Sequence, residues 1–402
     1  MSMRRTSALA CLLLFAACGS PEPAAELAVD RSTSGDTTRF VWAGEPPQIR
    51  VEEVEVEWRS ARLEFPRTAA LIGQNIVIAD RQHIHLVGPG FERPLTVGGD
   101  GEGPGEFRWV GAVGPAPGDS IAVYDSRLGR ISIFGGNGSF GRTVFFLSRF
   151  PFVDQLSWGL RVTHDGVFAL KREGLNTSTP EPAHIVLIQY DPETEDYRIH
   201  RKWPDLYMKL AEPRPGQMQG VVPERFFTPR AILALSPRGE VAHGDGLEYC
   251  FHIEPVLPGE GHRVEHVCRE RERVRASEAM RRPDWSLIED EADRQRASGA
   301  AAQVPVERRL PSYDLFRFDA QGRLWVRTMG EEVNVHPWLI TRIRELQPSH
   351  RNWDVFDEDR ALIATVQLPY TFDVRTFSQG RIYGFIELEW GEIAFASAEL
   401  PI

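Results

Sequence analysis

Cysteine is scarce in this chain, with four among 402 residues, so cohesion is left to a core that a chain of this length can supply amply. Basic charge is also in deficit. Lys and Arg total 46 against 57 Asp and Glu, a formal net charge of -11, and Arg4 and Arg5 are lost if the leader is cleaved. Phosphate-tracking nucleic-acid binders depend on a basic surface, so no nucleic-acid partner is expected. Long hydrophobic runs are missing as well: the apolar run Ala8 to Ala17 is too short to span a bilayer. No nucleophile elbow, phosphate loop or zinc-protease motif is present. These absences do not exclude an enzyme, because a fold can assemble a site from single residues far apart in the chain.

The N-terminus reads as a targeting segment. Arg4 and Arg5 precede the apolar run, which ends in small residues before Cys18. Phe15-Ala-Ala-Cys-Gly19 resembles the bacterial lipobox, in which the cysteine is acylated and becomes the mature N-terminus. The resemblance implies a lipoprotein signal peptide over 1–17 and lipidation of Cys18. Gly at position 19, where Asp is absent, resembles outer-membrane sorting in Gram-negative lipoproteins. An ordinary secretory leader cut near Ala17, with Cys18 unmodified, is the alternative. Residues 18–47, rich in Pro, Ser, Ala and acidic side chains without a period, are expected to be a flexible tether.

What the chain has in abundance is glycine at regular places. Val97 to Phe107 holds five glycines and a proline, which no element interior accommodates, and it separates two similar strand-rich units. Six segments each set a turn glycine before an apolar strand, at Gly73, Gly118, Gly166, Gly239, Gly322 and Gly380. Each follows another apolar strand, and a third and often a fourth come after. The recurrence predicts six four-stranded antiparallel units over 48–402, an all-β six-bladed propeller. The last unit runs out one strand short, and Ile49 to Trp58 alternates apolar and polar residues ahead of the first. Pairing the two terminal strands closes the ring and removes an edge.

These repeats, the Val97–Phe107 loop and the stretch Ala122 to Phe134 resemble the NHL-repeat-like six-bladed propeller lipoproteins of Gram-negative bacteria. The resemblance implies fold and compartment, an envelope protein lipid-anchored at the outer membrane, and leaves function open.

Propeller topology sorts the loops by face. Inserts at 173–183, 204–229, 272–311 and 329–338 fall on the face carrying the second-to-third-strand loops and the connections between blades, and 255–261 and 347–357 fall opposite. The first is the candidate binding face. Near its mouth, Arg108, Trp109, Trp158, Arg230 and Tyr313 stand at or just before innermost strands. Aromatics beside guanidiniums suit sugars, peptides or anionic groups; the alternative is that they wedge between blades. About 275–300 the chain turns helical, and Pro283-Asp284 suggests a break and a new cap. Trp285, Ile288 and Ala292 are expected to form a narrow apolar stripe against the propeller, the insert being a lid or a solvated decoration.

With Cys11 in the leader and Cys18 acylated, Cys250 and Cys268 remain, on two strands of one hairpin and equidistant from Gly259. A symmetric hairpin opposes them, and also opposes His252 to His266. A disulfide, two free thiols and a metal site of Cys250, His252, His266 and Cys268 all fit this pattern. His83 and His85 share a strand face without a third ligand, which favours packing. Asp80, Asp125 and Asp245 recur at equivalent strand ends as turn caps. The expected function is a monomeric, non-catalytic binding module for an envelope protein, peptide or glycan, held to the membrane by its lipid, with no cofactor unless a divalent metal. The rival is a propeller lyase or hydrolase with a metal at the channel mouth.

Overall fold

In the computed structural model the described residues are 28–58, 63, 66–145, 160–164, 166–173, 183–191, 193–194, 196–205, 208–210, 221–223, 225–257, 263–330, 336, 349–378, 380–388, 392–400 and 402. Their strands form six four-stranded antiparallel units, one of them completed by a strand from the N-terminal segment and two others carrying further strands from it. Blade 1 runs Pro66–Ile72, Asn75–Asp80, His83–Val87 and Leu95–Gly98, and blade 2 runs Val110–Ala116, Ser120–Asp125, Arg130–Phe134 and Phe140–Phe145. Blade 3 is Leu160–Thr163, Gly166–Glu173, His184–Asp191 and Asp196–Pro204; blade 4 is Ile232–Leu235, Glu240–Gly244, Cys250–Pro255 and Val264–Arg269. Blade 5 is Tyr313–Phe318, Leu324–Thr328, His350–Phe356 and Leu362–Pro369, and blade 6 is Phe372–Ser378, Arg381–Glu387 and Ile393–Glu399. The chain is a six-bladed β-propeller.

Two observations show why this sequence closes into a ring. All six expected turn glycines have positive φ, between 59° at Gly73 and 125° at Gly166, the conformation other residues adopt only under strain. Alternation then gives each blade two apolar faces, and six buried clusters each draw side chains from two adjacent blades. Val77 and Val123 meet between blades 1 and 2, Tyr124 and Val186 between 2 and 3, and Leu187 and Leu233 between 3 and 4. Phe251 and Phe316 join 4 to 5, Trp325 and Phe377 join 5 to 6, and Phe395 and Ile78 join 6 to 1. Every blade therefore buries both faces, which a lone four-stranded sheet cannot do.

Closure uses both termini, with one correction. Glu55–Trp58 completes blade 6 by pairing with Ile393–Glu399. The expected single strand from Ile49 to Trp58 is instead two: Gln48–Arg50 runs parallel to the outer strand of blade 5, and the chain then crosses to blade 6. The alternation in 49–58 is satisfied on two successive blade edges.

The tether expectation fails over its second half. Ala28–Ser34 and Thr37–Ala43 form an antiparallel hairpin whose second strand lies parallel to Val264–Arg269, making blade 4 six-stranded. Thr38, Phe40 and Trp42 are buried in alternation, a period-two pattern inside a segment whose polar composition suggests a linker.

The segment 347–357, expected as a loop, contains the third strand of blade 5, His350–Phe356. The helical insert comprises Glu278–Arg281, a 3-10 turn Trp285–Leu287 and Glu291–Gln303, with Ser277, Asp284 and Asp290 capping their N-termini. Its expected stripe holds in part: Ile288 is buried and Trp285 half-buried, but Ala292 is exposed, and Met280 and Ala297 are buried as well. Met280 packs with Ala276, Leu310 and Met329, so the insert is seated through the turn before the break.

Candidate functional site

Each innermost strand starts on the same face, so residues at those starts ring one mouth of the channel. The glycine-rich loop braces that face between blades 1 and 2. Arg130, nearly buried, donates to the carbonyls of Glu102 at 2.7 Å, Gly103 at 2.7 Å and Glu106 at 2.9 Å. Phe107, fully buried, donates its amide to Gly99 O at 2.8 Å. Gly98 has φ +98°, and a Cβ there would lie 2.7 Å from the Phe107 ring, so the loop can dock only with glycine at that position.

Of the five residues expected at the mouth, Arg108 and Trp109 belong to this brace. The Arg108 guanidinium donates to Asp100 at 2.8 Å and Glu102 at 3.4 Å, and the hydrogen bond to Asp100 raises its pKa. Trp109 is partly exposed and has Arg67 at 5.5 Å and Arg127 at 5.7 Å from its ring, pairing aromatic and guanidinium groups as expected. Tyr313 is a wedge. It is fully buried, stacks on Phe316 at 4.9 Å and donates to Cys250 O at 2.6 Å, so it offers no surface to a ligand. Trp158 and Cys18 lie outside the described residues.

Arg230 leads to a second group. Its guanidinium donates to Asp314 O at 3.2 Å. The Asp314 carboxylate accepts a two-pronged contact from Arg327, at 2.6 and 2.8 Å. Burial opposes the Asp314 charge, but Arg327, then Arg230 and Arg351, hold its pKa below the ordinary value. Arg375 donates to Asp373 at 2.5 Å, and Arg351 lies 4.0 Å from the centre of the Tyr370 ring. Arg317 sits deeper on the inner strand of blade 5, nearly buried; burial first, then the charges of Arg375 and Arg327, lower its pKa to about 9. Five guanidiniums from blades 4, 5 and 6 therefore gather around the two carboxylates Asp314 and Asp373. Only Arg230 of these is singled out by sequence position. A usable signal exists in Tyr313-Asp-Leu-Phe-Arg317 and Phe372-Asp-Val-Arg375, where an aromatic–Asp pair and a following Arg recur on two inner strands.

The hairpin of blade 4 has the symmetric register anticipated: Cys250 opposes Cys268, and His252 opposes His266. The cysteines form a disulfide with Cα atoms 4.1 Å apart. The imidazoles of His243, His252 and His266 stack in a row, with centroids 5.2 and 4.5 Å apart. Glu254 lies 3.2 Å from His243 Nε2, and Trp203 of blade 3 caps the row at 5.6 Å. Burial, with His243 and His266 adding to it, lowers the His252 pKa to about 4.

The remaining side chains singled out by pattern are structural. His85 is fully buried, 2.9 Å from Thr96 Oγ1 and edge-on to Trp58. Asp125 accepts from the amides of Arg127 at 2.8 Å, Leu128 at 3.0 Å and Arg108 at 2.6 Å, and Asp245 from Leu247 at 2.9 Å, as turn caps.

No protein-family model and no curated protein matches the chain. Among solved structures it is similar to a member of the DUF4221 family from Bacteroides vulgatus, with 9% identity, 87% of this chain and 96% of the other covered, and a TM-score of 0.49. A protein from Bacteroides fragilis described as exported gives 10% identity, 88% and 98% coverage and a TM-score of 0.43. Virginiamycin B lyase from Staphylococcus aureus gives 6%, 87% and 99%, and 0.41. At such distances none of these likenesses carries an argument about ligand or activity.

Proposed function

We propose that this chain is a lipid-anchored propeller of the bacterial cell envelope that binds a carboxylate-bearing ligand at the mouth where the inner strands begin, without turning it over. The guanidinium cluster carries the reading. Five arginines from three blades surround two carboxylates, and both carboxylates are already engaged, Asp314 by Arg327 and Asp373 by Arg375. A guanidinium fork matches a carboxylate in two-pronged fashion, and the partly exposed Tyr370 ring beside Arg351 suits the apolar face of a sugar or peptide. Anchoring rests on Phe15 to Gly19 and on acylation of Cys18. The ligand is a glycan, a peptide or a segment of an envelope protein that bears carboxylates.

Calorimetric titration of the full-length protein in detergent tests this, using a uronic-acid oligosaccharide, an acidic peptide and a neutral oligosaccharide of equal length. Binding of an acidic probe but not the neutral one is expected, weakened roughly 10- to 100-fold in R327Q and in R351Q. Unchanged affinity in both variants sinks the site. Metal-dependent cleavage of the bound probe would instead establish the lyase or hydrolase reading.

A further inference from the structure

We propose that the Cys250–Cys268 disulfide masks a redox-gated zinc site, in which reduction frees two thiolates to bind Zn2+ together with His266 and His252. The site lies on the outer two strands of blade 4 and does not depend on the binding reading.

Its geometry comes from strand register. Cys250 and His252 share one face of their strand, His266 and Cys268 share the same face of the next, and both pairs are directly opposed. Four ligating side chains thus occupy the corners of one small rectangle on blade 4. Among the described residues, Cys250, His266 and Cys268 form the group of metal-ligating side chains whose donor atoms lie within 4.8 Å of one another. His266 Nε2 is 3.5 Å from Cys268 Sγ. For a tetrahedral zinc with Zn–S of about 2.3 Å and Zn–N of about 2.0 to 2.1 Å, the S-to-N edge is about 3.5 Å, so this pair already stands at ligand spacing. The His252 ring is stacked on His266 at 4.5 Å, outside that group of three, and is placed to supply the fourth ligand on zinc binding, giving an S2N2 set of the kind tetrahedral zinc sites use. His243, next in the row, is held at Nε2 by Glu254 at 3.2 Å and backs His252 without being a ligand.

The chemistry balances with a dithiol as reductant. The dithiol passes two electrons and two protons to the S–S bond and becomes a disulfide, leaving two thiols on the hairpin. Zn2+ then displaces both thiol protons to solvent as two Zn–S bonds form. When a disulfide acting as oxidant takes two electrons from the two thiolates and is itself reduced to a dithiol, the S–S bond re-forms and Zn2+ is released, because the thiolate and not the disulfide sulfur is the metal ligand.

The test uses the full-length protein, oxidised or reduced with a phosphine that does not itself bind zinc, then exposed to Zn2+ alone and desalted. Elemental analysis should give about one zinc per chain in the reduced protein and none in the oxidised one. Co2+ in place of zinc should give the intense visible bands of a tetrahedral thiolate site. C268S should abolish both signals, and H266Q should weaken zinc binding at least about tenfold. Circular dichroism confirms that the variants remain folded, and the cobalt spectrum of the unmutated protein needs no variant at all. Reduced protein that takes up no zinc, zinc bound equally by the oxidised form, or a cobalt spectrum without thiolate bands overturns the proposal.

Discussion

Arg269 of blade 4 and Asp354 of blade 5 form an ion pair across the interface between their blades, and both side chains are buried. Tyr249 donates to the same carboxylate at 2.6 Å and Thr365 at 2.5 Å, while Glu45, just after the N-terminal hairpin, reaches Arg269 at 2.7 Å. The carboxylate is thereby satisfied from two strands and from the turn before Cys250, which is the condition under which a buried pair is tolerated. D354A strands the Arg269 charge and should cost about 3 to 5 kcal/mol of stability, read as a shift in urea midpoint. The double variant R269M/D354L, which removes both charges, should recover most of that loss. A single-variant loss below about 1 kcal/mol would show that water reaches the pair.

The N-terminal hairpin should matter to stability although its composition reads as linker. Trp42 is nearly buried in the cluster between blades 4 and 5, and its indole N–H donates to Arg360 O at 2.9 Å. W42A is expected to cost about 3 kcal/mol and to raise protease sensitivity over residues 28–43. Wild-type stability in W42A would mean that the hairpin does not stay on blade 4 in solution.

The fold was legible because its two determinants are local: glycine at each tight turn and alternation along each strand. Both survive in all six blades, and the closing strand at Glu55–Trp58 follows from the same alternation. What the pattern hides is which edge a polar strand joins. Gln48–Arg50 pairs parallel to blade 5 through backbone groups that any sequence carries, and Thr37–Ala43 joins blade 4 on three buried side chains within a polar stretch. The candidate site was legible only in part for a related reason. Tyr313 and Arg230 stand at equivalent strand starts, yet one turns into the blade interface and the other toward Asp314, a choice made by packing across blades. Arg327 and Arg351, on second and third strands, meet Asp314 only through the tertiary fold.

The glycine-rich loop should lose its order when its buried guanidinium anchor, Arg130, is removed. Arg130 supplies three hydrogen bonds to carbonyls at Glu102, Gly103 and Glu106, and a lysine cannot reproduce that fork. R130K should therefore speed amide hydrogen exchange from Gly99 to Phe107 by tenfold or more while leaving exchange in the strands of blade 4 unchanged. Uniform acceleration across the protein would instead mark Arg130 as a global core residue.

His336 should make stability fall in mild acid. It is nearly buried, edge-on to Trp285 at 5.2 Å and Phe226 at 5.9 Å, and burial lowers its pKa from 6.5 to about 4. In the unfolded chain the imidazole takes up its proton near pH 6.5, but in the folded protein only near pH 4. Between those values the unfolded state binds more protons, so stability declines as the pH falls from about 6.5 toward 4 and is independent of this group above that window. At pH 5 the loss from this one group should be about 2 kcal/mol relative to pH 7.5. H336F keeps an aromatic ring against Trp285 and Phe226 and has nothing to protonate, so its urea midpoint should fall less between the two pH values than that of the wild type, by that amount. Equal declines in both proteins would place the imidazole in contact with water and assign the acid sensitivity elsewhere.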